Sequence, residues 1–152
     1  MSYVFEDVQR SLYEYTKNHA DLSGVVVLQS NFKQATAALS SWMELHLVSL
    51  YPDSTRMADQ VERGSIRVFC RSRLQPLTTT KAAPTMTPYA MVDRVRGVLR
   101  GADIEVRDWT ANGGTTVTGM IHADEVQVDD VGEAEDHVRT VICTTRILVS
   151  AA

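Results

Sequence analysis

The sequence predicts an α+β fold, a mostly antiparallel β-sheet packed against two helices in a single-domain sandwich. Three observations carry this. Apolar residues recur at helical spacing in two places, near the N-terminus and between Pro88 and Arg100. Elsewhere apolar and polar residues alternate with a period of two, in runs that follow one another as strands rather than as strand–helix pairs. The length, 152 residues with 44% hydrophobic content, suits one core and leaves little room for two.

The first helix is read from Phe5, Val8, Leu12 and Tyr15, which fall on one face of a 3.6-residue period. Glu6, Asp7, Arg10 and Lys17 fill the remaining surface, acids early and a base late, as the helix dipole prefers. Asn18 and Gly24 bracket its end. Val25-Val26-Val27-Leu28 is a β-branched run that reads as a buried strand. Lys33 to Ser41 fits a helical turn and a loop equally. Trp42 to Tyr51 alternates, with Met43, Leu45 and Leu47 on one face and Glu44 and His46 on the other. Ser65 to Arg73 does the same, with Ile66, Val68 and Cys70 opposite Arg67, Phe69, Arg71 and Arg73. A polar loop through Asp59 to Gly64 is expected to join these two strands.

Gln75 to Thr87, rich in Thr and Pro, shows no apolar period and is expected to form a flexible loop or arm. Thr87 suits a helix N-cap and Pro88 the first helical position. Met91, Val92, Val95, Val98 and Leu99 then form an apolar stripe, and Gly101 closes the helix. Ile104 to Trp109 and Thr115 to Ile121 are expected strands around Asn112-Gly113-Gly114, a hairpin turn signal. Ala123 to Val128 is a further strand, Asp129 to Asp136 an acidic hairpin loop, and Val138 to Val149 a long final strand.

Fifteen Lys and Arg against nineteen Asp and Glu leave a net charge of -4. That argues against a bulk nucleic-acid or membrane-surface binder and leaves room for a local basic patch. No run reaches the ~20 apolar residues of a membrane helix, and the N-terminus lacks the pattern of a secretory signal. Cys70 and Cys143 have no metal or redox spacing, and their apolar neighbours make each an inert buried thiol. Phosphate-loop, nucleophile-elbow and zinc-protease motifs are missing. No catalytic residue, cofactor or metal site is assigned, and the chain is not expected to be an enzyme.

Two charged patches remain as interface candidates. Arg63, Arg67, Phe69, Arg71 and Arg73, with Lys81 beyond, make a basic stripe with an aromatic within it, against a plainer reading as a solvated face paired with Glu44. Asp124, Asp129, Asp130 and Glu133 belong to a window from Asp124 to Asp136 that holds seven acids.

The order of elements, with Val25 to Leu28, Trp42-Met43-Glu44-Leu45-His46-Leu47, Glu62-Arg63-Gly64-Ser65-Ile66-Arg67-Val68-Phe69 and Ala90-Met91-Val92-Asp93-Arg94-Val95, resembles the tail-terminator family of long-tailed bacteriophages, also called tail-completion or head–tail joining proteins. The resemblance spans most of residues 1 to 150. Two features depart from it: Lys33 to Ser41 lacks prolines, and the end of the chain is more acidic. It implies a structural virion protein, assembled in the bacterial host cytoplasm, that forms a ring, typically six-fold, on the tail tube. Such a ring ends tube growth and presents a surface to the head connector. Its implied partners are other copies of itself, the tail-tube protein and the connector, with DNA only passing through the lumen and no membrane. Two alternatives stand beside it. One is another neck or head-completion connector. The other is a small metal- or ligand-binding domain using His122, Asp124, Glu125, Asp129, Asp130 and His137.

Overall fold

The computed structural model describes residues 3–29, 39–52, 61–73, 86–133 and 137–151. Helix α1 spans Phe5–Asn18 and is followed by a 3-10 turn at Ala20–Leu22. Strands β1, Val27–Gln29, β2, Ser41–Pro52, and β3, Glu62–Arg73, come next. Then follow α2, Pro88–Leu99, β4, Asp103–Arg107, α3, Trp109–Asn112, β5, Val117–Glu133, and β6, Val138–Ala151. The strands form one sheet in the order β1-β2-β3-β6-β5-β4. The β1–β2 pair is parallel and the other four pairings are antiparallel. The α+β class holds. The expected loop Gln75 to Thr87 lies largely outside the described residues, as does most of Lys33 to Ser41.

Three expectations are corrected. Thr115 to Ile121 and Ala123 to Val128 are one strand, β5. A register shift between Ala123 and Val126 absorbs the extra residues as a bulge, so pairing with β6 continues across it. The acidic stretch is accordingly strand rather than loop as far as Glu133. Asp129, Asp130, Gly132 and Glu133 lie opposite Ile142, Val141, Thr140 and Arg139, and a ladder with the long β6 outweighs the weak strand propensity of Asp. Finally, the strand expected to run to Trp109 ends at Arg107, and Asn112-Gly113-Gly114 turns the chain between the antiparallel β4 and β5 by way of a helical turn that Trp109 begins. Asp108 gathers this turn: its side chain accepts from Asn112 Nδ2 at 2.6 Å and from the Thr116 amide at 2.9 Å. These bonds hold its carboxyl below the usual carboxylate range. One turn of helix, α3, results, and Gly113 and Gly114 leave it at φ 64 and 80.

The end of the expected Asp59 to Gly64 loop also belongs to β3. There β2 has a bulge between Leu47 and Ser49, and its backbone crowds β3. A Cβ at Gly64 would lie 2.2 Å from the Ser49 carbonyl oxygen, so only glycine lets the strands pair at this point.

Both long helices pack on one face of the sheet. Helix α2 starts as expected, with the Thr87 hydroxyl accepting from the Ala90 amide at 3.2 Å. It lies over β3, β5 and β6. Helix α1 lies over β1, β2 and β4. Because β1–β2 and β4 stand at opposite ends of the strand order, α1 spans the gap of a curled sheet. The core is continuous beneath both helices. Val8, Leu12, Met43, Leu45, Ile66, Met91, Val95, Leu99, Ile121, Val141 and Val149 are all fully buried in it.

The gap is closed by polar side chains of α1. Asp7, Gln9 and Ser11 are buried although the sequence places Asp7 on the surface. The Gln9 carboxamide donates to the Leu45 carbonyl at 3.3 Å and accepts from the Leu47 amide at 2.7 Å. Among the described residues β1 pairs with β2 as far as Leu45, and Gln9 bonds the β2 backbone at Leu45 and Leu47. On the other side the Ser11 hydroxyl accepts from the Arg107 amide at 3.0 Å and from Trp109 Nε1 at 3.2 Å. Asp7 Oδ1 accepts from the Thr110 amide at 2.9 Å.

Candidate interaction face

Strand alternation sends the core residues toward the helices and the remaining side chains to the opposite face. No helix or strand among the described residues covers that face. Its rows follow the register. Trp42, Arg71 and Thr140 lie side by side on β2, β3 and β6; below them come Glu44, Phe69, Ile142 and Asp129, then His46, Arg67, Thr144 and Gln127. Ser49, Ser65 and Arg146 form the next row, and Tyr51, Arg63, Leu148 and His122 the last.

The upper corner is closed. Trp42 is buried with Leu28 and Val138 against Leu39. Arg73 Nε donates to the Leu39 carbonyl at 2.9 Å, and its guanidinium stands 5.3 Å from the Trp42 ring. Glu44 is the local hub. It accepts from Trp42 Nε1 at 3.0 Å and lies 3.6 Å from Arg71 and 3.7 Å from His46 Nε2. Phe69 is half-buried, edge-on to His46 with centroids 4.8 Å apart, and Arg71 lies 5.3 Å above its ring. Arg71 and Arg73 are thus occupied inside the subunit, and the plainer sequence reading describes Arg71 well. Glu62, at the start of β3, lies off this face. It is buried on the core side, where Oε1 accepts from the Tyr3 amide at 3.2 Å.

Lower on the face the chemistry differs. Arg67 and Arg146 are exposed, with no hydrogen bond, ion pair or ring contact among the described residues. Arg63 is exposed beside them, in a groove of about 590 Å³ that Ser65, Tyr51, Arg146 and Asp124 also line. Lys81 lies outside the described residues. Arg146 was missed in the sequence. Alternation in β6 reads as Val141, Cys143, Thr145, Ile147 and Val149 on one face, and the same period places Arg146 on the other, two strands from His46.

The acids also divide. Asp130 is engaged: Oδ2 accepts from the Tyr89 hydroxyl at 2.7 Å and from Arg139 at 2.8 Å, and Oδ1 accepts from the Gly132 amide at 2.9 Å. Arg139 and Tyr89 hold its carboxyl down at about 2. Glu125 pairs with Arg100 at 3.0 Å. Asp124 and Asp129 are exposed and have no cationic partner among the described residues. Glu133 pairs through its backbone with Arg139, and its side chain lies outside the described residues.

The Asp130 clamp ties α2 to β5 and β6, and its pH dependence has a definite sign. A carboxyl whose folded value is lowered stabilises fully above its unfolded value, about 4. That contribution is lost as pH falls toward about 2. A carbon-detected NMR titration is expected to place the Asp130 midpoint near about 2, and Tyr89→Phe should raise it. A midpoint of about 4 in the parent protein would refute the clamp.

No metal-type cluster forms from the residues named above. Among the described residues, no three His, Cys, Asp or Glu side chains converge. His122 Nδ1 lies 2.7 Å from Asp103, an exposed pair across β4 and β5. Cys70 and Cys143 are buried free thiols at diagonal register, and their mutual hydrogen bond with burial pushes the Cys70 thiol far up, away from nucleophilic thiolate.

No protein-family model matches the chain, and no curated protein matches it. A solved structure does. A chain of the virion of a native gene transfer agent particle superposes with a TM-score of 0.64 at 14% sequence identity, over 99% of this chain and 100% of that one. At that identity the likeness is one of fold.

Proposed function

We propose that this chain is a structural virion protein that caps the tail tube of a long-tailed phage or phage-like particle. In this reading it assembles as an oligomeric ring, six-fold as the tail-terminator resemblance implies, ends tube growth and forms the surface that the head connector meets. Its partners are other copies of itself, the tail-tube protein and the connector, and DNA only passes through the ring. The observation that carries the reading is the fold shared, end to end, with a chain of a gene transfer agent virion. The sequence resemblance to tail terminators, which concerns residues rather than coordinates, points to the same class. A sheet with one face under helices and the other bearing Arg67, Phe69 and Arg146 suits a protein that works through surfaces.

Deleting the gene tests this. Electron microscopy of the resulting lysate is expected to show DNA-filled heads beside unjoined tubes of irregular length, and the gene supplied in trans should restore joined particles. Normally joined tails of uniform length without the gene would sink the reading.

A further inference from the structure

We propose that the outer edge of β5, beyond the end of β4, receives an extended segment of another protein, with cations toward the open face and apolar residues toward α2. This deepens the virion reading, on which it rests for the presence of such a partner in the particle.

The edge arises from two strands of unequal length. β4 pairs with β5 as far as His122, and the Ala123 amide donates to the Ala102 carbonyl at 2.9 Å, the last bond on that side among the described residues. β5 runs on to Glu133. Antiparallel strands bond each neighbour at alternate residues, so the outward bond at Ala123 fixes the direction of those that follow. Ala123, Val126, Val128 and Asp130 lie opposite Ile147, Thr145, Cys143 and Val141, every second residue of β6, with the bulge absorbed before Val126. The backbone N–H and C=O of Val126, Val128 and Asp130 therefore point outward, as those of Ala123 do. No hydrogen bond to these groups arises among the described residues. Val128 and Val131 on this stretch are 39% and 58% exposed. Such a ladder accepts a further strand.

The side chains set what kind of strand. Val126 and Val128 lie on the helix side, where Tyr89 of α2 stands beside them through its bond to Asp130. Glu125 and Asp130 are already held by Arg100 and Arg139. Asp124, Gln127 and Asp129 lie on the open face and are exposed. Neither acid has an ion pair among the described residues, and Asp124 shares its groove with Arg146 without pairing with it. An incoming strand meets Asp129, Val128, Gln127, Val126 and Asp124 in turn. Cross-strand complementarity then calls for a cation, an apolar residue, a polar residue, an apolar residue and a cation. The described edges of a second copy do not supply this. β1 is buried, Gln9 bonds β2 at Leu45 and Leu47, and two β5 edges would gather like charges.

The test titrates the full chain, labelled with nitrogen-15, with the capped peptide Ser-Lys-Val-Thr-Val-Lys-Ser, whose core reads the same in both directions. The Val126, Val128 and Asp130 amides should shift and exchange more slowly, and the Ile66 amide inside the sheet should not. Two N-methylated peptides, one methylated at both valines and one at the threonine, should differ, with only one of them binding, because alternate amides of a strand face its neighbour. Asp124→Lys with Asp129→Lys should weaken binding at least ~10-fold and should prefer the same peptide with Glu in place of Lys. No binding of the parent peptide at about 1 mM overturns the proposal. So does equal binding of the two methylated peptides, or unchanged affinity in the charge-reversed chain. Self-association of the parent chain that the same reversal abolishes would assign the edge to a second copy and equally overturn it. Peptide binding reports on this edge alone and the gene deletion on tail capping, so the failure of one is distinguishable from the failure of the other.

Discussion

Val95→Asp is expected to abolish folding. Val95 is fully buried at the centre of the α2 stripe, above β3, β5 and β6. The change removes an apolar side chain whose burial stabilises by about 1.5–3 kcal/mol. It also places a carboxylate within the apolar core cluster, at a further cost of several kcal/mol. Together these approach the whole stability of a domain this size, about 5–15 kcal/mol. Circular dichroism and gel filtration of the purified variant should show an unfolded or aggregated chain. Asp93→Ala, on the exposed side of the same helix, should unfold within about 0.5 kcal/mol of the parent in urea. A monodisperse Val95→Asp variant with the parent's urea midpoint would mean that the helix is wrongly placed.

Gln9→Met should be the most damaging conservative change in α1. It keeps the length and removes both polar ends of a side chain that is itself buried. The Leu45 carbonyl and the Leu47 amide then lose these side-chain bonds. A buried backbone group left unsatisfied costs about 1–3 kcal/mol, so the pair should cost about 2–6 kcal/mol. The loss should also be local. Hydrogen exchange at the Leu47 amide should accelerate far more than exchange at the Val141 amide in the middle of the sheet. Equal protection of Leu47 in parent and variant would show that Gln9 does not seal the β2 edge. Gln9→Glu separates the two bonds: it retains the acceptor for Leu47 and turns a buried anion toward the Leu45 carbonyl, so it should remain destabilised.

What was legible in the sequence was whatever depends on local periodicity. The face of β3 that carries Arg67, Phe69, Arg71 and Arg73 follows from alternation, because side chains on a strand must point to opposite sides. The start of α2 at Pro88 follows from Thr87 and the fixed φ of proline. The class, α+β with strands in runs, follows from the order of the two periods. Less legible was where strands stop. Asp129 and Asp130 read as loop because the penalty for acids in a strand is local, whereas the ladder that overrides it comes from β6, which is distant in sequence at most points of contact.

The candidate site shows the same boundary. The sequence determined which residues are basic, which are acidic and which share a strand face. It did not determine which charges are already spent inside the subunit. That Glu62 is buried beneath Tyr3, that Asp130 is clamped by Arg139 and Tyr89, and that Arg146 stands beside Arg67 are facts of strand order and register. The buried polar side chains of α1 mark the limit most plainly. Asp7, Gln9 and Ser11 look like the wet side of an amphipathic helix, since helical periodicity assigns a polar residue to solvent by default. Only the curl of the sheet decides otherwise, because it brings the edge of β2 and the end of β4 to the same helix, and unpaired backbone groups there require polar partners out of the water.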